Sequence, residues 1–157
     1  MEMKLFDVTP LNEHRREACE SLMRSLPDWF QIESSIREIS KEVDQLETFA
    51  ARRGKRILGL LVLKRNSAQS AEIFFMGVQP NEHRKGIGRA LLEAAEDRLR
   101  VEQVASLEVK TLGPSRPDEG YERTRRFYLA MGFQAQDESL ETWGPENPCL
   151  TLVKKLG

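Results

Sequence analysis

The stretch Glu72-Ile-Phe-Phe-Met-Gly-Val78-Gln-Pro-Asn-Glu-His83-Arg-Lys-Gly86-Ile-Gly88-Arg89-Ala-Leu-Leu92 decides how this chain is read. Its first seven residues are rich in β-branched and aromatic side chains and predict a strand, which Pro80-Asn81 ends. From Gly86 to Arg100 the apolar residues Ile87, Leu91, Leu92, Ala95 and Leu99 share one helical face, while Glu93, Glu96, Asp97 and Arg100 lie away from it. A strand therefore passes through a short basic loop with glycines directly into an amphipathic helix. Such a junction is an anion cradle. Glycine lets the backbone approach a ligand closely, first-turn N–H groups have no partner inside the helix, and the macrodipole adds partial positive charge. Arg84, Lys85 and Arg89 bring full charges to the same end, so a pyrophosphate is the natural ligand. The loop is not a P-loop, which needs G-x-x-x-x-G-K-[ST]. Nor is it a dinucleotide fingerprint, because Leu91 stands where the third glycine belongs.

Outward from this segment the chain reads as one domain, 1–157, without repeats or a linker. Toward the N-terminus, Phe6 and Val8 alternate in a short strand ending at Pro10. Ala18, Cys19, Leu22, Met23 and Leu26 mark a helix stopped by Pro27. Ser35 with Glu38 has capping-box spacing before the stripe Ile36, Ile39, Val43, Leu46. Thr48 to Arg52 and Ile57 to Leu63, around Gly54, predict an antiparallel hairpin. Toward the C-terminus follow a strand at Leu107, Val109 and Thr111, a loop with Gly113, Pro114, Pro117 and Gly120, and a helix from Thr124 to Met131. Strands from Phe133 and over Cys149 to Val153 end the chain. The order β-α-α-β-β-β-α-β-α-β-β implies an α+β fold, a mixed α/β arrangement on one sheet.

Composition narrows the function. Lys+Arg total 24 against Asp+Glu 25, a net charge of -1, which argues against a nucleic-acid or membrane-surface binder. The apolar run Ile57 to Leu63 is far shorter than the roughly 20 residues of a membrane span. The first residues lack the basic-then-apolar pattern of a signal peptide. Cys19 and Cys149 stand alone and read as buried thiols in a reducing compartment, giving an expected cytoplasmic location and no metal site.

His83-Arg-Lys-Gly86-Ile-Gly88 resembles the loop pattern [QR]-x-x-G-x-[GA] of the GNAT superfamily of N-acetyltransferases, with His83 in place of the usual Gln or Arg. Phe127-Tyr128-Leu-Ala-Met-Gly132-Phe133 resembles that family's later aromatic-Tyr-x-x-x-Gly-Phe block. The two motifs come in the family's order, with matching strand and helix signals between them. The likeness is clear over Phe49 to Phe133.

The resemblance implies a central mixed, mostly antiparallel sheet flanked by helices, in which the strands Ile73–Val78 and Leu107–Thr111 run parallel and splay apart. It implies acetyl-CoA as the donor, its pantetheine arm pairing with the backbone of Met76 and Val78 around Gly77. The diphosphate would lie over His83, Arg84, Lys85, Gly86, Ile87, Gly88 and Arg89. Tyr121 stands where the family often has an Asn that touches the pantetheine. Tyr128 matches the family's general acid, and a phenol with a pKa near ~10 holds its proton at neutral pH. Glu72 matches the general base of the histone-acetylating members. Taken alone, a glutamate at a strand start is equally a solvated or ion-paired charge, and Tyr128 equally a core aromatic. Trp29, Phe30 and Trp143 stand in loops where they would wall an acceptor pocket or simply pack. The implied reaction is acetyl transfer to a primary amine of a small molecule or a protein. The alternative is a CoA-binding sensor without turnover. A mixed sheet with exposed edges also leaves room for a homodimer.

Overall fold

A computed structural model describes residues 5–26, 33–83, 85–115 and 118–157, with the side chains of 33–35 excepted. The chain divides into two compact units, Met1–Lys64 with Phe74–Arg98, and Arg65–Ile73 with Leu99–Gly157. The elements are β1 (Asp7–Leu11), α1 (Arg15–Arg24), α2 (Glu33–Ser40), β2 (Glu47–Arg53), β3 (Arg56–Arg65), β4 (Ser70–Val78), α3 (Ile87–Val101), β5 (Ser106–Leu112), α4 (Glu119–Ala130), β6 (Gln134–Ser139) and β7 (Cys149–Lys155). Their order is the one expected from the sequence. Among the described residues the strands hydrogen-bond in the order β1-β2-β3-β4-β5-β7-β6, a mixed α/β sheet, and no helix is long and apolar enough to cross a membrane.

In the first unit β1, β2 and β3 form an antiparallel meander, with Thr9 opposite Ala50 and Ala50 opposite Leu60. Pro10 lies inside β1, opposite Phe49, rather than ending it. A proline that offers no N–H is tolerated there because β1 is the first strand of the sheet. Side chains alternate between the two faces of a strand. Ala50, Leu60 and Val62 pack with Leu22 and Met23 of α1 and Ile36 of α2 in one cluster. Gly59, on the opposite face of β3, lies against Ile87 and Leu91 of α3. Helices therefore cover both faces of these strands, which is why β3 is a continuous apolar run, buried from Leu58 to Leu63.

The capping-box expectation for α2 needs correction. The helix begins at Glu33, ahead of Ser35, and ends at Ser40, while Val43 to Gln45 form a separate 3-10 turn. Ser40 is buried, and its hydroxyl donates to Glu20 Oε1 at 2.7 Å and to the Arg37 carbonyl at 3.2 Å. A serine bonded back to its own last turn competes with helix propagation. Val43 stays fully buried beyond the break, so the apolar stripe outlives the helix.

In the second unit the parallel register of β4 and β5 covers Ser70–Ile73 against Ser106–Val109. β4 then runs on through Val78. β7 pairs antiparallel with both β5 and β6, Leu112 lying opposite Cys149 and Gln134 opposite Val153. α4 starts five residues earlier than the periodicity suggests, because the Asp118 side chain accepts the Tyr121 N–H at 3.0 Å and caps it. Cys19 and Cys149, one in each unit, are buried free thiols.

Candidate functional site

The loop that follows β4 is held in place before it reaches α3. The Gln79 N–H donates to the Leu58 carbonyl at 2.8 Å, and the Gln79 side-chain amide spans Arg56 and the Ile57 carbonyl, also at 2.8 Å each. Pro80–Glu82 makes a 3-10 turn closed by the Glu82 N–H on the Gln79 carbonyl. Glu82 then turns inward and is 3% exposed. Its carboxylate takes the Arg53 guanidinium at 2.8 and 3.4 Å and the Lys85 ammonium at 3.0 Å. The hydrogen bond from Arg53, and next that from Lys85, pull its pKa from an ordinary 4.5 down to about 2.

His83 is exposed, and its ring turns back to the strand: Nε2 lies 2.8 Å from the Val78 carbonyl. A carbonyl only accepts, so Nε2 carries the proton. Arg84 lies outside the described residues. Gly86 has φ +80° with open space where a side chain would begin, a conformation that favours glycine. Among the described residues the first i→i−4 bond of α3 runs from the Ala90 N–H to the Gly86 carbonyl at 3.0 Å. The N–H groups of Ile87, Gly88 and Arg89 therefore precede the helix's own ladder. Ile87 is buried and anchors the turn, whereas Lys85, Gly86 and Arg89 are exposed. Arg89 reaches along the helix to Glu93 at 2.8 Å.

Gly77 and Gly59 bring β4, β3 and α3 close together within the first unit. A Cβ on Gly77 would meet Phe75 Cζ at 2.9 Å, and one on Gly59 would meet the Gly77 carbonyl oxygen at 3.0 Å. Met76 and Val78 flank Gly77 on the half of β4 beyond the parallel register.

The second unit carries the other candidates. Tyr128, near the end of α4, is 3% exposed and clamped edge-on between Phe127 and Phe133, at centroid distances of 5.2 and 5.3 Å. Its carbonyl accepts the Phe133 N–H at 3.0 Å, so the Tyr-x-x-x-Gly-Phe spacing serves to fold the chain back onto the ring. Burial alone raises its phenol pKa well above 10, and the hydroxyl keeps its proton across the physiological range. Glu72 lies in the paired part of β4, opposite Glu108 of β5. Lys110 stands between the two carboxylates, 3.6 Å from Glu72 and 3.9 Å from Glu108. Tyr121 is half-buried in the first turn of α4, and Trp143 is 42% exposed in the loop after β6. Trp29 and Phe30 lie outside the described residues.

Two features were not foreseen from the sequence. Glu82 and Arg53 are 29 residues apart in the chain, and only the fold brings them together. Arg125 of α4 donates to the Leu112 carbonyl at the end of β5, 13 residues earlier in the chain. Among the described residues no cluster of His, Cys, Asp and Glu side chains forms a metal centre.

The family model described as "Acetyltransferase (GNAT) family" matches residues 13–133, most of the chain. Among solved structures, a GNAT family protein from Desulfovibrio desulfuricans superposes with a TM-score of 0.81 at 16% identity, covering 97% of this chain and 99% of that one. The PaiA N-acetyltransferase from Thermoplasma acidophilum, in complex with coenzyme A, gives 0.77 at 18% identity, covering 96% and 98%. A GNAT family acetyltransferase from Elizabethkingia anophelis with acetyl-CoA bound gives 0.71 at 16% identity, covering 98% and 99%. Among curated proteins none matches the chain.

Proposed function

This chain belongs to the GNAT acetyltransferase family, and on that premise we propose that it is an N-acetyltransferase that moves the acetyl group of acetyl-CoA to a primary amine by direct attack in a ternary complex. The observation that carries the reading is the junction of β4 and α3. There a glycine at φ +80° opens a helix whose first N–H groups precede its ladder, beside the exposed Lys85 and Arg89. Such a junction fits a diphosphate, because oriented amides and the helix dipole both favour negative charge. The family match runs through both compact units, which supports reading 1–157 as one catalytic domain.

When bound, acetyl-CoA supplies an activated thioester. The chain's own groups do the rest. The amides of Gly86, Ile87, Gly88 and Arg89 bind the diphosphate, with Lys85 and Arg84 adding charge. The backbone of Met76 and Val78 around Gly77 offers strand-like pairing to the pantetheine amides, which would otherwise lose hydrogen bonds on leaving water. His83 donates to the Val78 carbonyl, so its part is to hold this end of β4 in shape. Tyr121 adds a phenol for the pantetheine.

Glu72 accepts a proton from the acceptor ammonium, directly or through water, with the Lys110 ammonium 3.6 Å from its carboxylate. Tyr128 holds a proton that burial keeps on its hydroxyl, available to the leaving sulfur. Trp143, with Trp29 and Phe30, walls the acceptor. The test is thermal and kinetic together. Acetyl-CoA raises the melting temperature while NAD and ATP leave it unchanged, and free CoA is released when the protein is given a panel of amines. Equal stabilisation by all three nucleotides removes the reading. Stabilisation by acetyl-CoA with no CoA release from any amine leaves a binder rather than an enzyme.

A further inference from the structure

We propose that Glu82 is a positioning residue for cofactor binding: clasped between Arg53 and Lys85, it sets where the amides of Gly86 to Arg89 stand. The inference rests on the cradle reading above and goes beyond it, because Glu82 itself touches no cofactor. A carboxylate that is 3% exposed has lost most of its water, and that loss is offset only by partners of opposite charge in good geometry. Glu82 has two. Arg53 meets both of its oxygens, at 2.8 and 3.4 Å, and Lys85 meets Oε2 at 3.0 Å.

The partners come from different places, and this gives the clasp its consequence. Arg53 is the last residue of β2, and its Nε also donates to the Leu5 carbonyl at 3.0 Å. Lys85 is the neighbour of Gly86, the residue at φ +80° that turns the chain into α3. One carboxylate thereby ties the tip of the β2–β3 hairpin, itself held to the segment before β1 through Arg53, to the residue that precedes the Gly86 turn into α3. Backbone amides cannot reach for a ligand as long side chains do. They bind an anion well only if the chain already holds them within hydrogen-bond distance and angle. Fixing Lys85 fixes the entry to the cradle. The Lys85 side chain remains about half exposed, so its charge still adds to the field at the helix start.

The experiment measures CoA affinity by calorimetry and steady-state kinetics for the full-length protein, for Glu82→Gln and for Arg53→Gln. Arg53 is partly exposed and stands outside the loop, so its variant tests the clasp even if the Glu82 variant folds poorly. Expected is a CoA Kd raised about tenfold in Glu82→Gln and several-fold in Arg53→Gln, with KM for acetyl-CoA rising in parallel and kcat at saturation within about twofold of wild type. Glu82→Asp, which keeps the charge, recovers part of the affinity. A role in stability alone gives a different pattern, a lower kcat from a smaller folded fraction with Kd and KM unchanged, and that result overturns the proposal. So do Kd values in both variants within twofold of wild type. If wild type itself binds no CoA, the cradle reading fails first and takes this inference with it.

Discussion

Gly59 of β3 lies directly against Gly77 of β4. A Cβ built on Gly59 would stand 3.0 Å from the Gly77 carbonyl oxygen and 3.2 Å from both Ile87 Cγ2 and Leu91 Cδ1. The first of these is backbone and cannot rotate away. Gly59→Ala therefore strains the contact that seats α3 on the strands, and it should cost about 1–3 kcal/mol in chemical denaturation. If the variant unfolds at the same denaturant concentration as wild type, the contact has room that the structure does not show.

Tyr128 is packed by its ring rather than by its hydroxyl. Phe127 and Phe133 meet the ring edge-on, and burial is the cause of its raised pKa. Tyr128→Phe keeps these ring contacts, so stability and CoA affinity should change little while kcat falls about 100-fold or more if the hydroxyl is the acid. A turnover number equal to wild type makes Tyr128 a core aromatic only. The raised phenol value also sets a sign. The stability linked to the neutral hydroxyl is whole below pH 10 and is withdrawn as the pH rises beyond it.

The parts of the fold that were legible are those where burial leaves a repeating apolar pattern. Most helices and strands announced themselves by an apolar period or, in β3, by a continuous apolar run, and the mixed α/β order followed from that; β6, exposed along nearly its whole length, carries no such period. Element ends were harder, since they depend on single hydrogen bonds. Asp118 caps α4 through the Tyr121 N–H, but the surrounding Gly and Pro residues read as loop until Thr124. At α2 the stripe continued to Leu46 because Val43 remains in the core after the helix has stopped at Ser40. The glycine cradle was visible as a local pattern. Its support was not, because the pairing of Glu82 with Arg53 is created by the hairpin and has no short-range trace.

Glu72 was open to two readings from sequence, a base or an ion-paired strand residue, and the ion pair with Lys110 at 3.6 Å is compatible with both. Kinetics separates them. If Glu72 takes the acceptor's proton, Glu72→Gln is most damaging where the amine is most protonated, and the loss in kcat/KM should be about tenfold larger near pH 6 than near pH 9. A loss that is flat across the profile assigns Glu72 to holding Lys110 between β4 and β5.

Acid stability offers a check on Glu82 that needs no cofactor. Its folded pKa, about 2, lies below the ordinary 4.5, so the folded protein keeps this carboxylate ionised where the unfolded chain has already taken up a proton. Folding is favoured by that difference above about pH 4.5, and the contribution is lost as the pH falls toward 2. Glu20 acts in the same direction, because hydrogen bonds from Ser40 and Arg16 also lower its pKa. The stability difference between wild type and Glu82→Gln should therefore be largest at neutral pH and shrink toward zero near pH 2. The slope that remains in the variant belongs to Glu20 and other carboxylates. A difference that stays constant over this range would mean that Glu82 contributes through its shape, and that its two cations hold nothing.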